Sequence, residues 1–419
     1  MSLKWDATPG PVETSGDLAI EMFSDSTDNT LKILKPLFKL GGEEWSLASG
    51  GGVSYNKERI EANDVRLTNG NQALSVDYYH TATRDGDNLR VDFTDLELAT
   101  LSDLLLKSTG FAASGAINGN GSVVWTADSK TPLVKASLTV DSCMVNSHAL
   151  GDVNLRVSHD IERRRLHLFA NSELDEGTHL THPLQASGHV DFGQAGTGLD
   201  LTASFERFNL EAVAPLLKSF SSRFEGFLTG DLALTGTLSK PQVTGKAWVQ
   251  NGLLNIDATN VAYLFDDTIS LTNNRIRLNH FTLHDTQGNT AQITGNIDHS
   301  GFSDITTDLA LTTERLLLYD RSGEAAAGTV YAALDGHVSG PLSALEIAAT
   351  ATTQQGSHLT IPLNSKQSLK ASDYITFVSD DDYLRADEPQ STKKKFSVSS
   401  HIMLNLALTP DLRLTLPMT

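Results

Sequence analysis

The chain has a single cysteine, Cys143, in 419 residues. That excludes an internal disulfide and any metal site built on several thiolates, and leaves Cys143 the role of a small apolar strand residue. No stretch approaches about 18 consecutive apolar residues, so nothing reads as a transmembrane helix. The opening MSLKWDATPG also lacks the apolar segment of a signal peptide. Positive charge is scarce: 32 Lys and Arg stand against 51 Asp and Glu, a formal charge of −19. Binding to a phosphate backbone needs clustered Lys and Arg, so this balance argues against nucleic acid as a main partner.

Recognised catalytic patterns are missing as well. There is no phosphate-cradling Gly-Lys-Ser or Gly-Lys-Thr, and Gly50 to Gly52 has neither a helix nor a lysine behind it. His284-Asp285 and His159-Asp160 are local pairs without a nucleophile at a known spacing, so they read as turn or strand-surface residues. The run Asp380 to Asp382 lacks the alternation and distal Glu of a calcium loop and reads as a solvated acidic turn. The expectation is a protein that is not an enzyme and holds no metal or cofactor.

What is present is period-two patterning. Apolar residues make up 39% of the chain, enough to bury a core. In Phe224 to Ile256, Leu232, Leu234, Val243, Ala247 and Val249 alternate with Asp231, Ala233, Thr244, Lys246 and Trp248, the signature of strands with one apolar face. Pro241 suits a turn between two strands, and Gly252 a tight reversal before Leu253 and Leu254. The same alternation runs through Leu89 to Phe93, Leu199 to Phe205, Ile293 to Ile297 and Ile305 to Leu311. Thr68 to Asn71, Asn273-Asn274, Asp285 to Gly288 and His299 to Gly301 supply turns. Gly16 to Ser24 reads as a strand, while Leu31 to Leu40 fits either a helix or a strand.

Helical spacing interrupts this pattern three times: at Leu101, Leu104 and Leu105 after Thr100 as N-cap, at Leu210 to Phe220 after Asn209, and weakly at Leu316 to Leu318. The recurrence, with Gly121 to Pro132 matching Gly230 to Pro241, reads as a repeat of roughly 100 residues. Ser379 to Lys395 is a charged, solvated loop. His401 to Met418 reads as a terminal hairpin turning at Thr409-Pro410-Asp411. The chain thus divides into an N-terminal β segment (1–88), a β repeat with a short helix (89–197), a β region (198–365), and the loop with its terminal hairpin (366–419).

Several short motifs, in this order, resemble the TamB family of AsmA-like envelope proteins. They are Asn251-Gly252-Leu253-Leu254, Ile269 to Asp285, Gly288 to Gly295, Gly328 to Gly340, Ser357 to Leu363 and Asp373 to Val378, followed by the Lys-rich loop and the alternating tail. The likeness is good from about 198 to 418 and vague before about 89. It implies an all-β fold, an elongated antiparallel sheet bent into a groove of the β-taco kind with a few short helices. It also implies a periplasmic location, an inner-membrane anchor that this chain lacks, and an outer-membrane partner of the BamA type. The chain accordingly looks like an internal or C-terminal fragment, with Met1-Ser2-Leu3 left by cloning.

The expected function is to shield phospholipid acyl chains and conduct them between the inner and outer membranes. The groove residues singled out are Leu232, Leu234, Val243, Val249, Ile293, Ile297, Leu309, Leu311, Ile347, Leu359, Ile361, Leu404 and Leu406. The helices near Leu104 and Leu216 serve to pack against the sheet or to plug the groove. Two other functions compete: assistance to outer-membrane protein assembly through exposed sheet edges, and an extracellular β-sandwich or β-solenoid binding module with a dry core.

Overall fold

The computed structural model describes residues 2–7, 14–24, 28–40, 43–48, 51–81, 86–105, 111–125, 132–193, 196–218, 220–237, 240–300, 303–322, 326–360, 401–407 and 413–415. Strand outweighs helix by 79% to 4%, so the chain is all-β, as its alternation predicts. In order the strands are β1 (Ser2–Ala7), β2 (Thr14–Ser24), β3 (Asn29–Leu40), β4 (Glu43–Leu47), β5 (Gly52–Tyr55), β6 (Arg59–Asn69), β7 (Gln72–Thr81), β8 (Asp87–Glu97), β9 (Ala113–Trp125), β10 (Leu133–Val145), β11 (His148–Asp160), β12 (Arg165–Asp175) and β13 (Leu180–Thr181). There follow β14 (Gln185–Gly193), β15 (Gly196–Asn209), β16 (Phe224–Thr237), β17 (Lys240–Ile256), β18 (Val261–Thr272), β19 (Arg275–Asp285), β20 (Thr290–Ser300), β21 (Ser303–Arg321), β22 (Ala327–Pro341), β23 (Glu346–Thr353), β24 (His358–Thr360), β25 (His401–Ala407) and β26 (Arg413–Thr415). One α-helix, α1 (Leu98–Leu105), and one 3-10 helix (Leu210–Leu217) interrupt them.

The chain forms two compact units. The first comprises Met1–Lys218, Arg223–Gly252 and Asp266–Arg275, and the second Ser219–Ser222, Leu253–Phe265 and Ile276–Thr419. In the first unit the strands from β1 to β16 pair with their sequence neighbours in an antiparallel meander, with β4 and β5 both bridging β3 to β6. Short turns make this possible. Asn69 pairs with Gln72 across Gly70 and Asn71, and Gly70 takes φ 58. A Gly at the first central position suits a tight hairpin of this kind. The stretch Leu31 to Leu40, open between helix and strand on its sequence, lies in β3.

Irregularities recur along these strands. The register shifts between Ala62 and Val65 in β6, Phe93 and Leu96 in β8, Val140 and Cys143 in β10, and Phe205 and Phe208 in β15. Each shift holds a residue in the left-handed region: Asp64, Asp95, Ser142 and Arg207, at φ 44, 44, 51 and 50. These are β-bulges, which bend a strand and raise its twist. Asp95 and Arg207 each stand three residues before a helix, α1 and the 3-10 helix respectively, so a bulge followed by a helical turn is the unit that recurs.

In the second unit β19 pairs with β20, and β20, β21 and β22 follow as an antiparallel ladder. β22 then pairs antiparallel with β23 and, farther along its length, with β24. β25 runs parallel to β23, and β26 parallel to β24. The expected terminal hairpin is therefore corrected: β25 and β26 point the same way, as consecutive segments along one edge. Residues 408–412 between them, and the loop Ser379 to Lys395, lie outside the described residues.

Three local expectations are also corrected. Leu316 to Leu318 is not helical but lies within β21, where register shifts between Thr313 and Leu316 and between Leu317 and Tyr319 turn two successive leucines inward, at 1% and 4% exposure. Gly252 is not a reversal but an interior residue of β17, and it is the preceding Asn251, at φ 50, that takes the left-handed conformation. Thr100 is not the N-cap of α1, which begins at Leu98 directly after the β8 bulge. The 3-10 helix does carry its expected cap, since Glu211 N–H donates to Asn209 Oδ1 at 2.8 Å.

Candidate functional site

Registers in the first unit place apolar residues in continuous rows across ten strands, from β6 to β16 without β13. One row reads Leu67, Leu74, Phe93, Gly119, Leu138, Leu155, Ala170, Ala186, Ala203, Leu232. The next reads Val65, Val76, Val91, Gly121, Ala136, Val157, Leu168, Gly188, Leu201, Leu234. Between them, on the opposite face, run Arg66, Ser75, Asp92, Asn120, Ser137, Arg156, Phe169, Ser187, Thr202 and Ala233. Nine strand intervals make this apolar band about 43 Å long. Every residue in the two rows is partly buried, and none reaches the burial of a packed core.

Two of the three glycines in these rows, Gly119 and Gly188, have a steric reason, whereas a side chain at Gly121 would meet only ordinary contacts. At Gly188 φ is 147, and a Cβ there would lie 2.1 Å from the Asp200 carbonyl oxygen and 2.7 Å from Leu201 Cα. Any side chain would push the neighbouring strand away, so glycine keeps the two backbones close.

Some of this unit's fully buried apolar residues gather where the helices meet the sheet. Trp45, Leu96 and Ile117, at 2%, 5% and 6% exposure, form a cluster joined by Leu67, Phe93, Val140 and, from α1, Leu98 and Leu101. The 3-10 helix buries Leu210 and Ala212 and is tied to the β10–β11 turn by Asn146 Nδ2, which donates to the Ala212 carbonyl at 2.6 Å. The helices thus cover part of the apolar face, including Leu67 and Phe93 at the start of one row, and leave the remaining row residues partly exposed.

The residues singled out from the sequence lie as follows. Leu232 and Leu234 end the two rows and are partly buried, whereas Val243 and Val249 are buried at 5% and 3% exposure. In the second unit Ile293 pairs with Leu311, Leu309 with Val338, and Val338 with Ile347, while Ile297 follows two residues after Gly295, the partner of Leu309. These six apolar residues share one face and are partly buried. Leu404 and Leu406 stand in register with Ala349 and Ala351, and Leu359 opposite Gly328. Ile361 lies outside the described residues. The reverse face of this unit carries Gln292, Thr312, Asp335, Thr350 and Asn405 in one row.

Polar groups inside the fold hold backbone together. Asp285, 1% exposed, accepts from the N–H groups of Gln287, Asn289 and Leu317 at 2.9 Å each and from Asn289 Nδ2 at 2.7 Å. Burial pushes its pKa up, but these donors outweigh burial and hold the carboxyl below its ordinary value. Tyr263 donates to the Leu317 carbonyl at 2.9 Å, so the side chains of Asp285 and Tyr263 take both backbone groups of Leu317 at the bulge. Burial also raises the Tyr263 hydroxyl, with the Asp285 charge adding to it, and raises the Cys143 thiol. His159 Nδ1 sits 2.8 Å from the Pro132 carbonyl oxygen, and Asp160 accepts from the Arg163 N–H at 3.1 Å. Among the described residues no three His, Cys, Asp or Glu side chains converge as a metal ion would require.

Sequence reasoning missed the acceptors that hold the bulges. The N–H of Asp64 donates to Asp77 Oδ1, that of Asp95 to Asn118 Oδ1 and that of Ser142 to Asp152 Oδ1, at 2.8 Å each, and that of Arg207 to Thr229 Oγ1 at 3.1 Å. The available signal was a polar turn-former, as in Asn63-Asp64 or Asp141-Ser142, in the middle of an alternating strand.

Fold and face together define a class: an all-β protein of antiparallel sheets, not closed into a barrel, with one apolar and one polar face. Residues 31–249 match the family model described as TamB, N-terminal domain, and residues 279–418 the one described as TamB C-terminal domain. The chain belongs to the TamB family, a family of cell-envelope proteins associated in general with lipid and protein transport. The match begins well before the stretch in which the sequence motifs first show the likeness. No curated protein and no solved structure matches the chain. No helix among the described residues is long and apolar enough to cross a membrane.

Proposed function

We propose that the apolar band carries phospholipid acyl chains through the periplasm, between the inner and outer membranes, without catalysis. One observation bears most of the weight: two adjacent rows of apolar residues run unbroken across ten strands and stay partly exposed, with a largely polar row behind them. Apolar faces that stay open to this extent mark interaction surfaces. Acyl chains laid along the band lose contact with water, which favours them by roughly 25 cal/mol per Å². Headgroups, and the opposite face of the sheet, remain in solvent. Family membership supports a place in the envelope and an outer-membrane partner of the BamA type.

The test is native mass spectrometry with lipid extraction of the protein purified from a bacterial host, followed by transfer of labelled phospholipid between liposomes. Co-purified phospholipid and measurable transfer are expected, with transfer lost in Leu155→Asp and Leu201→Asp. A stable protein free of lipid and unable to transfer it would overturn the proposal and favour a role in outer-membrane protein assembly.

A further inference from the structure

Helix α1 covers the apolar band where Leu67 and Phe93 enter the Trp45 cluster. Among the described residues its ties to the sheet are few. It has eight residues, no acidic residue in its first turn and no basic residue in its last. A helix this short is marginal alone and depends on the face it buries. Leu98 and Leu101 pack on the cluster, and the N–H of Ala113 donates to Ser102 Oγ at 2.8 Å. The 3-10 helix has more polar ties: Asn209 caps it, Asn146 reaches its Ala212 carbonyl, and His148 lies 3.6 Å from Glu211.

Beneath α1 sits a donor without an acceptor among the described residues. Trp45 is 2% exposed, and among the described residues its indole Nε1–H has no hydrogen-bond partner. A buried N–H left unpaired costs free energy that any acceptor reaching it recovers. The cluster around it is apolar and continuous with the band through Leu67 and Phe93. A fatty-acyl ester matches both features, with a chain for the cluster and a carbonyl oxygen for the indole.

We propose that α1 is a displaceable cover over an acyl-chain subsite floored by Trp45, Leu96 and Ile117, in which the Trp45 indole donates to the ester carbonyl of the chain that replaces Leu98 and Leu101. The proposal rests on the lipid-carrying reading of the band. Lipid enters the subsite only when α1 lifts, so α1 sets how far along the sheet the apolar path extends.

The chain has four tryptophans, Trp5, Trp45, Trp125 and Trp248, so a reporter is available. In Trp5→Phe/Trp125→Phe/Trp248→Phe, Trp45 is the sole emitter. The probe is phosphatidylcholine with brominated acyl chains, which quench an indole on contact. A second protein adds Trp45→Phe and Leu138→Trp, placing the emitter on the open row. A third carries Ser102→Cys/Ala113→Cys with Cys143→Ala in the Trp45-only background, pinning α1 when oxidised and freeing it when reduced.

Quenching at both emitters, with Trp45 protected in the oxidised pinned protein and quenched again on reduction, is the expected result. Quenching through Leu138→Trp but not at Trp45 overturns the subsite and leaves the lipid-carrying band intact. Equal quenching of Trp45 in the oxidised and reduced pinned protein overturns the cover. No quenching at either emitter overturns the lipid reading itself.

Discussion

Placing a carboxylate on the open row and another in the covered cluster separates an open face from a closed core. Leu234 pairs with Leu201 and is partly buried, whereas Ile117 is 6% exposed and packed with Trp45 and Leu96. Burying a leucine side chain completely is worth about 1.5–3 kcal/mol, so losing a partly buried one costs about 1–1.5 kcal/mol. A carboxylate at position 234 keeps its contact with water and adds little to that. At Ile117 the lost side chain and its cavity cost about 2–5 kcal/mol, and the unpaired charge adds several more. Urea unfolding followed by circular dichroism and limited proteolysis reads both variants. Leu234→Asp should keep its sheet with a modestly lowered midpoint and lose lipid uptake, while Ile117→Asp should lose the first unit's fold. Equal, large losses for both would refute the reasoning, because the rows would then be an ordinary dry core.

Gly295 takes φ 146, and a Cβ there would lie 2.1 Å from the Asp308 carbonyl oxygen, so Gly295→Ala should cost about 2–4 kcal/mol in thermal unfolding. Gly288→Ala, at φ 84 with nothing near, should cost only about 1 kcal/mol. The Asp285 carboxyl titrates lower in the folded chain than in the unfolded one. Its stabilisation is therefore complete above the unfolded value near 3.9 and is lost as pH falls through the lower folded value. Asp285→Asn should cost about 2–3 kcal/mol at pH 7 and flatten the acid limb of the unfolding curve below about pH 4. Asn146→Ala removes the donor to the Ala212 carbonyl and the acceptor for Ala112 N–H, and should loosen the 3-10 helix by about 1–2 kcal/mol, seen as faster amide exchange at residues 210–217.

The strands and the apolar parity of the chain were legible because period two leaves its mark directly on the sequence. Leu232 and Leu234 share a face, and so do Leu309 and Leu311, as alternation requires. What alternation does not carry is the bulge, since one extra residue reverses parity locally and the cause is often a side chain on the next strand. Asn118 fixes the Asp95 bulge from 23 residues away, so the polar pair Thr94-Asp95 hints at an irregularity but not at the acceptor that holds it. The three leucines at 316 to 318 look helical for the same reason: two bulges, with Asp285 and Tyr263 serving Leu317, put neighbours on one side of a strand. The terminal hairpin failed differently. Thr409-Pro410-Asp411 is a legitimate turn signal, but strand direction is set by the edge the segment joins, and β23 and β24 offer a parallel one.

The placement of the two helices bears on why the face is open at all. A chain with this much alternating sheet could cover its apolar side with a second layer, as sandwiches do. Here the helical turns follow the bulges at Asp95 and Arg207 and cover only the rows near them, through Leu98 and Leu101 in one case and Leu210 and Ala212 in the other. Row positions beyond their reach hold leucine or valine on most strands, with glycine and alanine on the others. Selection for stability alone would favour polar residues at positions that stay half in water, since those leucines and valines recover only part of their burial free energy there. Their presence on strand after strand is explained if a ligand completes the burial, and the ligand must be as long and as unspecific in shape as the rows themselves. An acyl chain has that form, whereas a folded partner would need the knobs and pockets that rows of repeated small and branched side chains do not provide.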